Sequence, residues 1–332
     1  MAKFAYTKDA KSAIPNGPSD VLTSQAFQLA LRRGLDKVWK REFEALQQGM
    51  QFFNERSLQR EFANYQTYRQ ISGLVPQNRD VEEIPFATTG DGFSFSVTSY
   101  NYRRGIKIEK TLQEVDDVGV ARNRQADLAR GAKLTLEHAM ADVFNRGVND
   151  GTMTNGAPIL CDDGCYLVDS GRPNANPDAA TWSNQESTSA ITPAAIFQAQ
   201  INARQTRADD GELYPLYIKA IICRPQDSKV LWEIRNSNYR PTDAFHVNNY
   251  FKDNKDATFD VVVYDYLTSS QIFYLLDDPK SDKNELYFFW RVQPEFATWI
   301  GDNPDVTKQR VRFAFGLGAG SPRCAWRGGI VS

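Results

Sequence analysis

The sequence predicts an α+β fold, because its helical and strand-like segments do not follow the regular strand–helix–strand alternation of a parallel α/β protein. Three observations predict it. Residues 92–110 alternate apolar and polar side chains, which is typical of a β-strand. Residues 115–147 carry apolar side chains at helical spacing, and residues 217–317 hold five further apolar runs of strand character.

The composition is that of an ordinary soluble globular protein, with 332 residues, 41% hydrophobic residues and 24% charged residues. A formal net charge of −2 excludes a protein that binds nucleic acid over its whole surface. No segment approaches ~18 consecutive apolar residues, so we expect no transmembrane helix and no membrane partner.

The N-terminal residues 1–20 are polar and lack the apolar core of a secretory signal, so they predict a flexible arm and a cytosolic protein. In a reducing cytosol the four cysteines are expected as free thiols, although a Cys161–Cys165 link stays possible. Residues 23–49 carry an amphipathic pattern and predict a helix, with Thr23 or Ser24 as the N-cap.

The segment over residues 92–110 is long for one strand. At ~3.3 Å per residue it would span ~60 Å, whereas an ordinary strand covers ~17–20 Å. Residues 64–76 have β character and precede a polar stretch rich in Pro, Gly and Asp. We therefore predict a long hairpin in which residues 64–76 pair with the long strand.

The strongest helix prediction covers residues 115–147, with acidic residues near its start and Gly147 at its end. At ~1.5 Å rise per residue it would be nearly ~50 Å long. We expect this helix to be the internal spine of the subunit, with three side chains pointing into the core: Leu128, Leu136 and Val143.

The remaining chain predicts a loop-rich region over residues 148–190, with a short hairpin at 161–168, and then a helix at 192–208. Strands are expected at 217–225, 260–267, 271–278, 285–292 and 309–317, with a helix at 228–236 between the first two.

Motifs that carry chemistry are weak in this sequence. GLGAG at 316–320 resembles part of a dinucleotide loop, but a helix must follow such a loop and Pro322 comes next, so a flexible turn is favoured. CDDGC at 161–165 lacks the second ligand pair of a zinc site. The two histidines, His138 and His246, have no identifiable partner. We therefore expect no catalytic residue, metal or organic cofactor.

Charge along the predicted hairpin is uneven. Arg103 and Arg104 interrupt the long strand, whereas the tip is acidic at Asp80, Glu82, Glu83 and Asp91. One interpretation is that the acidic tip of one copy contacts the basic shank of another copy. The other is that the charges protect an edge strand from aggregation.

The order of these segments resembles the major capsid proteins of tailed bacteriophages, in particular the Mu-like major head subunits. The resemblance covers nearly the whole chain after residue 20. It rests on five quoted pieces: YRRGIKIEKTLQEVDDVG (102–119), RQADLARGAKLTLEHAMADVFNRG (124–147), KAIICRP with the helix after it (219–234), VVYDYLT (262–268) and AWRGGIVS (325–332).

This resemblance implies an N-terminal arm and helix over 1–63 and an extended hairpin, the E-loop, over 64–110. It further implies a peripheral domain over 111–210 and 281–314, and an axial domain over 211–280 and 315–332. In that family the hairpin lies across a neighbouring subunit. The implied contact residues are Arg79, Asp80, Glu82, Glu83, Ile84, Pro85, Phe86, Arg103 and Arg104.

Two departures from the family pattern are visible. Some members join subunits by a lysine–asparagine bond from the hairpin, but residues 77–106 contain no lysine. Some members carry a long N-terminal scaffolding domain, whereas only 63 residues precede the predicted hairpin. A separate scaffolding protein, or earlier removal of such a domain, is then expected.

The function implied is that of a structural shell protein. Copies assemble as hexamers and pentamers in the host cytoplasm into an icosahedral head of the virion around double-stranded DNA. Portal, scaffolding and decoration proteins are its expected partners. One alternative is an encapsulin-type nanocompartment shell. Another is a β-rich carbohydrate-binding or hydrolytic protein whose site is lined by exposed aromatics such as Trp182, Trp232 and Trp299.

Overall fold

The computed structural model describes residue 41 together with residues 48–68, 91–109, 120–147, 159–173, 180–186, 191–208, 213–239, 248–254, 257–268, 272–277, 284–300 and 306–328. Several predicted features lie outside the described residues. These are the arm over 1–20, most of the helix over 23–49, the hairpin tip with residues 79–86, and His246.

The described strands are β1 (Asn54–Ser57), β2 (Phe62–Tyr68), β3 (Asp91–Thr98), β4 (Tyr100–Glu109), β5 (Ala220–Cys223), β6 (Asp260–Val263), β7 (Phe273–Leu276), β8 (Leu286–Ile300), β9 (Val306–Ala319) and β10 (Ala325–Gly328). The helices are α1 (Val120–Asn145), α2 (Pro193–Arg204), α3 (Pro225–Asn236) and the short α4 (Tyr250–Asp253), with 3-10 turns at Gly49–Phe52 and Pro322–Cys324. None of these described helices is long and apolar enough to cross a membrane.

A first sheet has the strand order β1-β8-β9-β4. β8 and β9 are its longest strands and pair antiparallel from Leu286↔Ala319 to Ile300↔Thr307. β4 pairs antiparallel with β9, and β1 lies parallel to β8 on the other side. The two faces of this sheet carry different elements, and we name them the helix face and the hairpin face.

The helix face is covered by α1. Side chains of β9 on this face, such as Val311 and Phe313, share one core with the buried side chains of α1. Leu128, Leu136 and Val143 are 3%, 0% and 2% exposed and belong to this core. Alanines on α1 are buried as well, since small side chains let the helix approach the sheet closely: Ala126, Ala129, Ala132, Ala139 and Ala141.

The second sheet has the order β10-β7-β5-β6 and is covered on both faces. On one side Ile222 and Tyr274 join the α1 core. On the other side Ile221 and Leu275 form a separate core with α2 and α3. Alternation along each strand therefore divides its side chains between two cores, which explains why β5 and β7 are apolar at every position.

Helix α2 forms where the sequence predicts it. Thr192 is its N-cap, because the Thr192 hydroxyl accepts a hydrogen bond from the amide of Ala195, and Pro193 follows at the first turn. Ala195, Ile196 and Ala199 pack into the core of the second sheet. The domain boundary predicted at residue 210 therefore cuts through a packed core.

The prediction of one strand over residues 92–110 is wrong. The strand is interrupted at Ser99, whose amide donates to the carbonyl oxygen of Glu61 at 2.8 Å. Before Ser99, β3 pairs with β2 in a separate two-stranded ribbon, and after it β4 pairs with β9 of the first sheet. A period-two pattern records the strand conformation but not the partner. The apolar positions change from odd numbers before Ser99 (Phe93, Phe95, Val97) to even numbers after it (Tyr100, Tyr102), and this shift of phase marks the break.

The hairpin is accordingly shorter at its base than predicted. Its described part joins Phe62–Tyr68 with Asp91–Thr98, so the region predicted as residues 64–110 ends at residue 98. The short hairpin predicted at 161–168 is also wrong. That segment is a turn, closed by hydrogen bonds from the amide of Gly164 to Cys161 and from the amide of Cys161 to Cys165.

Replacing Leu136 with Ala should lower the free energy of unfolding by ~2–5 kcal/mol, because it opens a cavity between α1 and the first sheet. Urea unfolding followed by circular dichroism measures the change. Leu134→Ala is the matched control, since Leu134 is on the same helix but 44% exposed, and it should cost less than ~0.5 kcal/mol. Equal effects of the two variants would contradict a spine role for this helix.

Candidate assembly surface

On the hairpin face of the first sheet, two strands make a very close contact. β3 lies on β9 at Gly316 and Gly318. A Cβ atom on Gly316 would lie 2.8 Å from the carbonyl oxygen of Thr98, and one on Gly318 would lie 2.7 Å from Cγ2 of Val97. Only glycine permits this approach. The prediction of a flexible turn at 316–320 is therefore wrong, because residues 316–319 are the buried end of β9 and Gly320 is buried directly after it.

Aromatic rings complete this contact. Tyr65 stacks on Phe95 across the hairpin with ring centroids 5.3 Å apart, and on Phe289 of β8 at 5.2 Å. Phe95 and Val97 are buried in a small core with Leu58. We call this contact the hairpin root. It fixes where the two-stranded ribbon leaves the sheet.

Arg291 marks the end of the hairpin root. Its guanidinium donates to Oδ1 of Asn101 on β4 at 2.6 Å and lies 3.7 Å from a carboxylate oxygen of Glu61. Arg291 therefore connects Glu61, which directly precedes β2, to β4, which follows the hairpin. Farther from the hairpin root along β9, the hairpin face carries charged side chains instead of apolar ones.

The charged half of the hairpin face carries cations on neighbouring strands. Arg103 stands directly opposite Arg312, Gly105 opposite Arg310, and Lys107 opposite Lys308. Residues that are directly opposite in a sheet share a face. We call this set the basic strip: Arg103, Lys107, Lys308, Arg310 and Arg312. Within the described part of the chain, Arg103, Lys107, Arg310 and Arg312 form no ion pair.

Arg104 lies on the opposite face. A Cβ atom on Gly131 of α1 would lie 3.6 Å from Nη1 of Arg104, so this guanidinium lies against the spine helix. The two arginines predicted to act as a pair are therefore separated, because successive side chains of a strand point to opposite faces. Arg103 alone belongs to the basic strip.

The other residues singled out from the sequence are scattered. His138 is exposed on α1 and contacts the ring of Tyr266 edge-on at 5.2 Å. Trp232 on α3 and Trp299 on β8 are 62% and 42% exposed. The guanidinium carbons of Arg172 and Arg323 lie 5.6 and 5.4 Å from the centre of the Trp182 ring. Three tryptophans on separate elements do not form the sugar site of the carbohydrate-binding alternative.

Two buried charged groups escaped the sequence analysis. Arg172 is fully buried and forms a 2.6 Å ion pair with Asp163 and a 3.0 Å hydrogen bond with Oδ1 of Asn184. The amide of Asn184 in turn donates to the carbonyl oxygens of Leu167 and Ala325, both at 2.8 Å. This network holds the loops over 159–173 and 180–186 to the start of β10, and no local pattern in the sequence predicts it.

Glu137 is the second buried charge. It faces inward on α1 with 1% exposure, and its Oε2 accepts a hydrogen bond from the amide of Gly49 at 3.0 Å. The hydroxyl of Tyr264 lies 3.2 Å from the same oxygen. Oε1 has no hydrogen-bond partner among the described residues. Burial raises the pKa of Glu137 above its ordinary value, against the opposing effect of these hydrogen bonds.

Few of the described residues are placed for metal binding or for nucleophilic chemistry. Within the described ranges, no three His, Cys, Asp or Glu side chains come together as a metal site requires. Cys161, Cys165 and Cys223 are not in disulfides. Burial and the nearby Asp227 raise the pKa of Cys223 to about 12, so this thiol is poorly nucleophilic at neutral pH. The charged side chains that the fold groups on its surface, those of the basic strip, are suited to contacts with another protein.

Comparison with known protein families gives one match. A family model described as phage capsid protein matches residues 96–328, which is well over half of the chain. The match starts inside β3 and ends at the last residue of β10, so it includes the spine helix, the whole second sheet and the first sheet except β1. No curated protein matches the sequence of this chain.

Three solved structures of similar fold are distant from this chain in sequence. The procapsid of bacteriophage JBD30 is 14% identical with a TM-score of 0.51, covering 92% of this chain and 76% of that chain. The capsid of cyanophage P-SCSP1u is 12% identical with a TM-score of 0.54, covering 85% and 87%. The structure of Mycobacterium phage Patience is 11% identical with a TM-score of 0.54, covering 91% and 88%. At these identities the similarity shows a shared α+β fold.

Replacing Gly316 with Ala should lower the free energy of unfolding by ~1–3 kcal/mol, because the added methyl group meets the backbone oxygen of Thr98. Chemical denaturation of the subunit measures it. Gly171→Ala is the control, because no atom lies within 4 Å of the added carbon, and it should change stability by less than ~0.5 kcal/mol. If both variants behaved alike, the hairpin root would not depend on the glycine.

Replacing Glu137 with Gln should stabilise the protein at pH 8 and not at pH 4. The folded-state pKa of Glu137 is raised, so the folded protein holds this proton more tightly than the unfolded chain. The carboxylate therefore costs stability once the pH rises through the unfolded and then the folded pKa. Gln keeps an oxygen for the amide of Gly49 without the charge.

Urea denaturation of wild type and variant across this pH range checks the effect. Glu109→Gln, at an exposed position at the end of β4, is the control and should leave the pH dependence unchanged. A stability advantage for Glu137→Gln that is the same at pH 4 and pH 8 would show that ionisation of Glu137 is not the cause.

Proposed function

This chain belongs to the phage capsid protein family, and from that membership we propose that its copies assemble as hexamers and pentamers into an icosahedral head that encloses double-stranded DNA. The chain is a structural shell subunit of a phage virion. The observation that carries the proposal is the family match over residues 96–328. The closer assignment to the Mu-like head subunits stays a prediction.

The encapsulin alternative is not favoured. The matching family is that of phage capsid proteins, and the compared structures of similar fold come from phage capsids. The carbohydrate-binding alternative has no support either, since Trp182, Trp232 and Trp299 lie on separate elements. DNA as content is consistent with the net charge of −2, because a wall of this charge does not bind closely packed DNA everywhere.

In the proposed assembly the domain roles follow the packing. The first sheet and α1 would form the peripheral domain, and the second sheet would form the axial domain. Helix α2 shares its core with β5 and β7, so we assign residues 193–204 to the axial domain and not to the peripheral domain. Portal, scaffolding and decoration proteins are proposed partners, and the host cytoplasm is the proposed place of assembly.

The hairpin is the proposed contact between neighbours. A two-stranded ribbon is marginally stable alone in water. Here its root is held by glycine contacts and stacked rings, while the tip sequence RDVEEIPFATTGD offers few apolar groups. We propose that residues of the tip gain their contacts on a neighbouring subunit: Arg79, Asp80, Glu82, Glu83, Ile84, Pro85 and Phe86.

Size-exclusion chromatography with light scattering tests the shell directly. Expression of the subunit, alone and together with a scaffolding protein, should give particles in the megadalton range, and electron micrographs should show closed shells. Particles of this kind that contain a cargo enzyme and no DNA after assembly in the host would favour the encapsulin alternative. A protein that stays monomeric under all these conditions would overturn the proposal.

Replacing residues 79–90 with a short Gly/Asn turn should leave a folded subunit and abolish closed particles. The reason is that many copies of a weak contact stabilise a closed lattice, so its loss is multiplied over the shell. Circular dichroism and thermal unfolding check the fold, and electron microscopy checks the particles. Intact heads of normal stability would contradict a role of the tip in assembly, and an unfolded subunit would place the tip in the core.

A further inference from the structure

We propose that Gln309 and Thr298 form a binding site for internal water on the helix face of the first sheet. The ligand is water that is held by side-chain hydrogen bonds and shielded from the bulk solvent. This inference goes beyond the proposed function and does not depend on it, because it concerns hydrogen-bonding groups inside one subunit. Success or failure of shell assembly therefore leaves it unchanged.

Gln309 is a polar residue in an apolar row. β4 and β9 pair without a bulge, so Gln309 shares the helix face with Val311 and Phe313 of the same strand. Those two side chains belong to the core that α1 covers. Gln309 itself is 0% exposed. A side-chain amide at such a position needs hydrogen-bond partners, because burial of an unpaired amide is strongly unfavourable.

Both polar atoms of the Gln309 side chain lack a protein partner. Oε1 and Nε2 are buried, and neither forms a hydrogen bond with another described group. Gln200 shows the ordinary arrangement of a buried glutamine, since its Nε2 donates to the carbonyl oxygen of Ala257 at 3.0 Å. The amide of Gln309 therefore presents an unused donor and an unused acceptor inside the protein.

Thr298 supplies a third group at the same place. It stands directly opposite Gln309 in the pairing of β8 with β9, so the two side chains share the helix face. The hydroxyl oxygen of Thr298 is buried and likewise has no hydrogen-bond partner within the described ranges. The hydroxyl and the amide thus lie on neighbouring strands without bonding to each other.

The neighbours on this face do not satisfy these groups. Ile106 of β4 stands opposite Gln309 on the other side, and Val311 follows along β9. Both side chains are apolar and pack with the core. Arg104 stands opposite Val311, but its Nη1 lies 3.6 Å from the position of a Cβ atom on Gly131 of α1. The site is therefore a small polar spot with an apolar border.

Water is the ligand that fits this set of groups. A buried water molecule makes about three hydrogen bonds, and Oε1, Nε2 and the hydroxyl of Thr298 supply about that number. Water donates to Oε1 and accepts from Nε2. A metal ion would leave the Nε2 donor unsatisfied, and an anion would repel Oε1. An apolar ligand would satisfy none of the three groups.

Oxygen-17 magnetic relaxation dispersion tests the site on the full-length unassembled subunit, because it detects water that stays bound longer than surface water. We expect Gln309→Leu to lose about one long-lived water molecule or more relative to wild type. Gln293→Leu is the matched control, since Gln293 is an exposed glutamine on β8, and it should keep the wild-type number. An equal number in wild type and Gln309→Leu would overturn the inference.

Thr298→Val tests whether the two residues share the water. Valine keeps the shape of threonine without the hydroxyl, and we expect this variant to lose long-lived water as well. Because the same water is removed, the Gln309→Leu/Thr298→Val double variant should lose no more than Gln309→Leu alone. Full retention in Thr298→Val, or losses that add up in the double variant, would overturn the shared site.

A high-resolution structure of the wild-type subunit decides the question without any variant, so it holds even where Gln309→Leu fails to fold. We expect density for water at about 2.7–3.2 Å from the amide of Gln309 and from the hydroxyl of Thr298. An amide that instead bonds directly to another protein group, with no water density beside it, would overturn the inference.

Discussion

The close approach of β3 to β9 is the contact on which the placement of the hairpin and of β4 depends. Gly316 and Gly318 let the ribbon lie directly on the sheet, and the side chains of Val97 and Phe95 occupy the space that a larger residue would fill. Because only Ser99 separates β3 from β4, the ribbon is joined to the first sheet without a loop. The contact of β3 with β9 therefore fixes both the direction of the hairpin and the position of β4 as the last strand of the first sheet.

On the other face the same sheet is held by the spine helix. The core that α1 builds reaches from Phe313 in the first sheet to Ile222 in the second, so the two sheets share one helix. Glu137 sits in the middle of this core and binds the amide of Gly49, which connects the N-terminal segment to the helix at the expense of a buried charge. A buried carboxylate of this kind trades stability for a defined position.

Much of this fold was predictable from local patterns. Period and capping predict α1 and α2, and apolar runs predict β5 to β9, because these elements depend on residues close in sequence. The partners of the strands were not predictable. Residues 92–110 carry a strand-like alternation whose phase shifts at Ser99, but this pattern does not reveal that Thr98 pairs in the ribbon and that Tyr100 pairs with Phe315, which is distant in the sequence. The apparent nucleotide-loop glycines at 316–320 likewise have their explanation in a strand that packs from elsewhere in the chain.

The candidate surface was predicted only in part. The sequence predicts that Arg103 and Arg104 together contact another subunit, which stays a prediction. The register of the strands separates the two side chains and places Arg312, Arg310 and Lys308 on the same face as Arg103. The buried pair of Arg172 and Asp163 gave no signal, since a single arginine in a loop reads as a surface residue. Charges that act together across strands are visible only after the strands are paired.

Electron cryo-microscopy of the assembled particle tests the central claim most directly. We expect a closed icosahedral shell of this chain in which the hairpin leaves its own subunit at the Gly316–Gly318 root and crosses the first sheet of a neighbour. A particle in which the hairpin folds back on its own subunit would contradict the assembly role of the hairpin. A protein that forms no closed shell under any assembly condition would contradict the shell function itself.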